Sequence, residues 1–185
     1  MDQKQSRTKR SKETKSVYSR SLITQTLTLP ITVIGKTLKQ TLEETIISKV
    51  EGKCIVEGYI KPKSVKVITY SSGTIKGDAI IFDVVYECEV CFPVAGMLLN
   101  CTAKNITKAG IRAESADETP SPYVLFVTRD HYFANEYFNS IKENDTFVAR
   151  VIAQRFELND KYISIIAEIV LSKEKEVTKH ARLVL

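Results

Sequence analysis

The chain has 185 residues, 43% hydrophobic and 26% charged, with no Trp, seven Gly and a net charge of +5. This fits one domain or two small ones of ordinary globular composition, and so little glycine excludes a collagen-like chain or a Gly-rich phosphate loop. No apolar run approaches the roughly 18 residues of a membrane span, and the charged N-terminus lacks the apolar core of a secretion signal, so an intracellular, soluble protein with no membrane partner is expected.

The charge excess is confined to one end. Residues 1–20 carry seven basic side chains (Lys4, Arg7, Lys9, Arg10, Lys12, Lys15, Arg20) against Asp2 and Glu13, and the rest of the chain is neutral. A segment so rich in Lys, Arg, Ser, Thr and Gln cannot bury a core, and residues 1–20 read as a disordered basic tail. It is a solvated tail or, more specifically, an import patch at Lys9-Arg10-Ser11-Lys12 or a non-specific nucleic-acid tether. A neutral body can bind a polyanion only through a local patch.

Residues 22–34 are rich in Leu, Ile, Val and Thr and predict a strand, with Pro30 at an edge or bulge. Over residues 35–50 the period changes. Leu38, Leu42, Ile46 and Val50 recur every fourth position, which predicts an amphipathic helix of about four turns, ended by Gly52. Residues 53–60 and 64–70 read as strands separated by the turn pair Lys61-Pro62. Ser71-Ser72-Gly73 and Lys76-Gly77-Asp78 are turn chemistry. A long strand follows, with Phe82, Val84, Tyr86, Cys88, Val90 and Phe92 in one phase and Asp83, Glu87, Glu89 and Cys91 in the other. Residues 21–94 thus form a first domain, a few strands curled around one helix.

The four cysteines, Cys54, Cys88, Cys91 and Cys101, raise the question of zinc or disulfides. Cys88-Glu89-Val90-Cys91 has the spacing of half a zinc site. On a regular strand, residues three apart point to opposite faces, so these sulfurs diverge. There is no second CxxC, and the only histidines are His131 and His180. No metal and no cofactor is expected, and the thiols read as reduced, small hydrophobic side chains.

The second half is strand signal with one break. Residues 97–107 and 111–114 flank the tight turn Lys108-Ala109-Gly110. Residues 115–122 are a polar, Pro-containing loop, and residues 123–128 form a third strand. Residues 130–141 hold Tyr132, Phe133, Tyr137, Phe138 and Ile141 and predict a short helix. Asn144-Asp145 opens a strand over 146–156, and a turn at Leu158-Asn159-Asp160 leads to a last strand over 162–170. Five strands with a helix between the third and fourth is the order of an OB-fold barrel, assigned to residues 95–185. The polar residues 172–180 read as a frayed extension. The chain is therefore expected to be α+β and β-rich: a strand-and-helix tip domain followed by a five-stranded OB-fold barrel.

Catalytic chemistry finds no foothold. GxxxxGK[ST], GxSxG and HExxH are all absent. Asp130-His131 has no nucleophile near it in sequence, and a loop His beside an Asp is most often a cap or surface contact. Asp83, Glu87 and Glu89 read as the solvent face of a strand.

Two blocks, Val50-Glu51-Gly52-Lys53-Cys54 running into Gly58-Tyr59-Ile60, and the long strand ending in Phe92-Pro93-Val94-Ala95-Gly96, resemble the stalk subunit (the seventh-largest-subunit family) of multisubunit DNA-directed RNA polymerases. The likeness runs over about residues 22–170. Residues 155–164 (RFELNDKYIS) look closer to versions from large DNA viruses. The resemblance implies a non-catalytic subunit whose tip docks on the polymerase core subunits. A small helical stalk partner pairs with it, and the OB face contacts emerging single-stranded RNA. It implies a place in the nucleus or, for a viral chain, in the cytoplasmic factory and virion. The docking role carries over to Gly58, Tyr59, Ile60, Lys61 and Pro62. Gly110 matches the glycine between the first two OB strands, and Phe126-Val127-Thr128 matches the third strand.

The sequence departs from that pattern where bases usually stack. The positions flanking the turn glycine are Ala109 and Arg112, only Phe126 is aromatic, and Cys101 replaces a common glycine. The remaining set that could track a single strand is Lys104, Lys108, Arg112, Tyr123, Phe126, Arg129, Tyr132, Arg150 and Arg155. The plainer reading of that set is core aromatics and a solvated basic face. The alternative function is a free-standing OB-fold RNA-binding protein of RNA decay or translation, which would need no tip.

Overall fold

The structure is a computed structural model that describes residues 16–35, 37–131 and 136–170. The tail expected over residues 1–15 and the extension over residues 172–180 lie outside them. Among the described residues no helix is long and apolar enough to cross a membrane.

The first unit is organised around two long antiparallel strands, β1 (Tyr18–Pro30) and β6 (Ala79–Cys91), in unbroken register from Tyr18 opposite Cys91 to Pro30 opposite Ala79. The tail therefore gives way to sheet by Tyr18, ahead of the boundary at residue 20 drawn from charge. The other edge of β6 is completed by β5 (Thr74–Lys76), β4 (Lys66–Tyr70) and β3 (Gly58–Ile60), with β2 (Cys54–Ile55) beyond β3. Helix α1 (Leu38–Val50) lies on one face. Its fourfold spacing puts Leu42, Ile46 and Val50 in one stripe, buried with Leu27, Val67, Phe82, Val84 and Tyr86. Truncating a side chain as enclosed as Leu42 to Ala would cost about 2–5 kcal/mol.

Three local readings change. Residues 53–60 are not one strand but the hairpin β2–β3, because Gly58 sits at φ +130°, where only glycine is comfortable. After Pro30 the chain turns through a short 3-10 segment, Ile31–Val33, held by a bond from Ile31 N–H to the Asp78 carbonyl. The turn-rich residues 71–78 include β5, which pairs with the start of β6.

The second unit is a closed five-stranded barrel of β7 (Leu98–Ile106), β8 (Gly110–Ser115), β9 (Tyr123–Thr128), β10 (Thr146–Arg155) and β11 (Ile163–Ile169). Its order is β10-β11-β9-β8-β7, with β9 and β11 parallel. The short helix α2 (Glu136–Ser140) falls between its third and fourth strands, an OB-fold-like arrangement. The fold class expected from the sequence is therefore the one observed.

The two units share a seam. Cys54, Tyr59 and Cys91 come from the tip strands yet are buried in the barrel's core. Cys54 exchanges backbone hydrogen bonds with the β10–β11 turn, its N–H donating to Asp160 O and its carbonyl accepting from Asn159 N–H, both at 2.8 Å. The alternation read along β6 breaks here: Cys91 is fully buried, whereas Phe92 is 46% exposed. Cys88 belongs to the tip core and Cys91 to the barrel core, so their sulfurs point apart. A Cβ at Gly58 would overlap the Cys91 carbonyl oxygen. Gly58→Ala should therefore destabilise the full chain by at least about 2 kcal/mol. Urea unfolding of both proteins checks this, and an unchanged midpoint would show that the seam has slack.

Candidate functional site

The motif residues of the tip turn mostly inward. Glu51 accepts hydrogen bonds from Lys63 N–H at 2.9 Å and Val65 N–H at 3.1 Å, clamping the loop before β4. Lys63 holds a left-handed φ of 62° within that clamp. Gly58, Tyr59 and Ile60 are buried and cannot present side chains to another protein. Burial also pushes the Tyr59 hydroxyl above its ordinary pKa. Of the five residues assigned to docking, only Lys61 and Pro62 reach the surface.

Lys61 is itself engaged. Its Nζ lies 2.9 Å from Glu89, 3.8 Å from Glu118 on the β8–β9 loop of the barrel, and 4.7 Å from the centroid of the Tyr18 ring. The hydrogen bond to Glu89 is the main reason its pKa is raised. Lys61 thus ties tip to barrel as well as facing outward.

The barrel set divides just as sharply. Tyr123 is fully buried, and its hydroxyl donates to Asn100 O at 3.3 Å, so it supports the barrel from within. Strand alternation explains this, since Tyr123, Leu125 and Val127 point inward while Val124 and Phe126 point outward. Arg129 is a strut between α2 and the β7–β8 turn: it donates to Asn139 Oδ1 at 3.2 Å and to Thr107 O at 3.3 Å, and lies 5.1 Å from the Phe138 ring centroid. Tyr123 is thus turned away from any strand of RNA, whereas Arg129 is half-exposed and held by its contacts within the barrel. Tyr132 lies outside the described residues.

Arg112 and Phe126 are direct neighbours across β8–β9, and Phe126 is in turn opposite Ile166 on β11. Beside this row Phe126, Arg155, Tyr162, Ser164 and Ile166 line a hollow of about 350 Å³. Lys104, at the β7 bulge, and Lys108, in the β7–β8 turn, are exposed and have no ion pair among the described residues. Arg112, Arg150 and Arg155 face Glu114, Glu168 and Glu157 at 3.4, 3.0 and 3.1 Å. Such exposed pairs are each worth only about 0–1 kcal/mol, so an incoming phosphate could displace them. Sequence reasoning missed Tyr162 and Ile166. Ile166 had a signal, being the apolar member of the outward phase Ser164, Ile166, Glu168.

No family model matches the chain. It is similar to a protein of Acanthamoeba polyphaga mimivirus described as "Putative DNA-directed RNA polymerase subunit", with 25% identity over 158 residues, covering 77% of this chain and 76% of that protein. The chain is thus a distant relative of a viral RNA polymerase subunit, with an OB-fold-like barrel. Among the described residues no group of three or more His, Cys, Asp or Glu side chains is placed to hold a metal ion.

The cysteines are free and buried. Burial raises the thiol pKa of Cys54 and Cys88 to about 11 and that of Cys91 and Cys101 to about 12, from an ordinary 9.0. Below about pH 9 both folded and unfolded thiols keep their protons, so pH has no leverage through them. Above it only the unfolded chain ionises, so stability should fall as pH rises from about 9 toward 11–12. Native protein at pH 8 should also leave all four thiols unreacted with a chromogenic disulfide reagent until denaturant is added. Rapid labelling of the native chain would contradict the buried seam.

Proposed function

We propose that the chain is the non-catalytic stalk subunit of a multisubunit DNA-directed RNA polymerase. The observation that carries this reading is that the similarity to the viral polymerase subunit covers 77% of the chain, more than the barrel alone can supply. A free-standing OB-fold RNA-binding protein, the competing reading, has no need of the tip. The tip meets the core enzyme through the surface loop at Lys61 and Pro62 and the exposed β2–β3 turn at Val56 and Glu57.

A small helical partner covers the crossover between the units. There Phe92, Val94 and Leu98 are 46, 53 and 55% exposed, an apolar group at a junction that favours a protein neighbour. The outer barrel face then receives the transcript, with Phe126 as a stacking platform and Arg112, Lys104 and Lys108 meeting phosphates. The place of action is wherever that enzyme transcribes, the nucleus or, for a virus-encoded chain, the cytoplasmic factory and virion.

Affinity purification of the tagged chain from its native or infected cell should recover the two largest polymerase subunits and a small helical protein. RNA-processing factors without polymerase would favour the free-standing reading. In fluorescence anisotropy with a labelled oligouridylate, Phe126→Ala should weaken binding by about 5- to 150-fold, the range for losing one stacked base. Tyr123→Phe should leave RNA affinity unchanged while costing about 1 kcal/mol of stability through its lost hydrogen bond.

A further inference from the structure

The tip carries a second basic surface that the transcript-facing barrel does not explain. Two hollows, of about 410 and 740 Å³, lie side by side and share Lys63, Ser64 and Lys66 in their walls. Lys39 at the start of α1 completes the outer one, and Arg20 and Lys61 the inner one. Arg20 and Lys61 already face Glu87 and Glu89, at 3.9 and 2.9 Å. Lys39, Lys63 and Lys66 are exposed and have no ion pair among the described residues, although the sequence around them is charge-balanced.

The backbone beneath these lysines is held from several sides. Glu51 accepts from Lys63 and Val65 N–H, and Glu43 accepts from Val67 N–H at 2.9 Å. Ser64 Oγ donates to Lys61 O at 2.7 Å and accepts from Glu89 N–H at 3.1 Å. The carboxylates nearby are thus held in place by backbone N–H groups or by other cations, and Lys39, Lys63 and Lys66 extend from a fixed backbone frame. Such a frame lowers the ordering cost of binding.

We infer that these hollows seat an acidic peptide segment of the core enzyme, one with carboxylates spaced to meet Lys39, Lys63 and Lys66. This rests on the stalk reading and names the chemistry of the tip's partner. Nucleic acid fits less well for two reasons. Among the described residues no aromatic ring lines either hollow, and the nearby Tyr18 ring is already covered by Lys61, so bases have little to stack on. Glu43, Glu87 and Glu89 interrupt the basic surface, and a phosphate backbone, charged at every step, would run against them. A peptide can place acidic residues at the lysines and hydrogen-bond donors at the glutamates.

The test compares the full-length chain with two triple variants of equal charge change. One is Lys39→Glu, Lys63→Glu and Lys66→Glu in the tip, and the other is Lys104→Glu, Lys108→Glu and Arg112→Glu on the barrel. Matched thermal melts establish that all three are folded. The probes are a fluorescein-labelled peptide in which glutamates are spaced by serine and glutamine, and an oligouridylate of the same length, read by anisotropy. The tip variant should lose about tenfold in peptide affinity and keep its affinity for the oligouridylate, whereas the barrel variant does the reverse.

Equal loss of peptide binding in both variants would reduce the effect to general charge and overturn the inference. Loss of oligouridylate binding in the tip variant would assign the hollows to nucleic acid and overturn it as well. Pulldown from native cells separates the two levels of the argument. Wild-type chain that recovers polymerase, with a tip variant that recovers it equally, sinks the acidic seat and leaves the stalk reading standing. Wild-type chain that recovers no polymerase sinks the stalk reading and with it the assignment of the seat to the core enzyme.

Discussion

At Gly58 the backbone of β3 comes so close to the Cys91 carbonyl of β6 that no side chain fits between them, and this approach sets the edge of the tip sheet that faces the barrel. It allows Tyr59 to enter the barrel core while Ile60, the next residue, enters the tip core. It also brings β2 against the β10–β11 turn, where Cys54 makes its two backbone bonds. One strand end therefore serves two hydrophobic cores, Cys88 and Val90 in one and Cys91 in the other. The units are joined by continuous packing rather than by a linker. Each unit then presents its outer surfaces at a fixed orientation to the other, as the proposed stalk role requires.

Electrostatics adds a second tie across the same seam. Lys61, at the end of the buried Gly58-Tyr59-Ile60 run, reaches Glu89 within the tip and Glu118 on the barrel. Surface pairs of this kind contribute little alone. Here the cation is also packed on the Tyr18 ring, and its backbone N–H is bonded to the Glu89 carbonyl. Pairing of this kind uses up many of the body's charges. Among the described residues, the cations without an ion pair include Lys104 and Lys108 on the barrel and Lys39, Lys63 and Lys66 on the tip, two sets in separate places, so the neutral body offers local patches rather than one broad field.

Most of the architecture was legible because it rests on period. Fourfold spacing of Leu38, Leu42, Ile46 and Val50 gave α1, twofold alternation gave the long strand β6, and turn chemistry between apolar runs gave the barrel strands. Failures came where one residue answers to two environments. Cys91 occupies the polar phase of β6 and is buried, because the barrel supplies a second core on that side. Gly58 breaks a stretch that reads as one strand, because its conformation depends on a contact from a residue far away in sequence. The docking and RNA sets were chosen by residue type, which carries no direction. Tyr123 and Tyr59 turned inward, whereas Ile166, an unremarkable residue type, turned out onto the candidate surface.

The scarcity of rings at the barrel hollow, among the described residues, bears on how such a surface would operate. Phe126 and Tyr162 are the aromatics at the hollow of the barrel face. Two stacked bases supply roughly 2–6 kcal/mol before ordering costs are subtracted, so free RNA would be held only weakly, and loosely in sequence. A subunit bound near an exit channel meets the transcript at an effective concentration near the millimolar range of short linkages. Under those conditions a weak site is occupied much of the time, yet releases quickly enough for the strand to slide past. Tight binding would oppose the forward movement of the chain being synthesised. Under the proposed stalk role, the few rings at the hollow and the displaceable Arg–Glu pairs at Arg112 and Arg155 would suit guidance of a moving strand better than its capture.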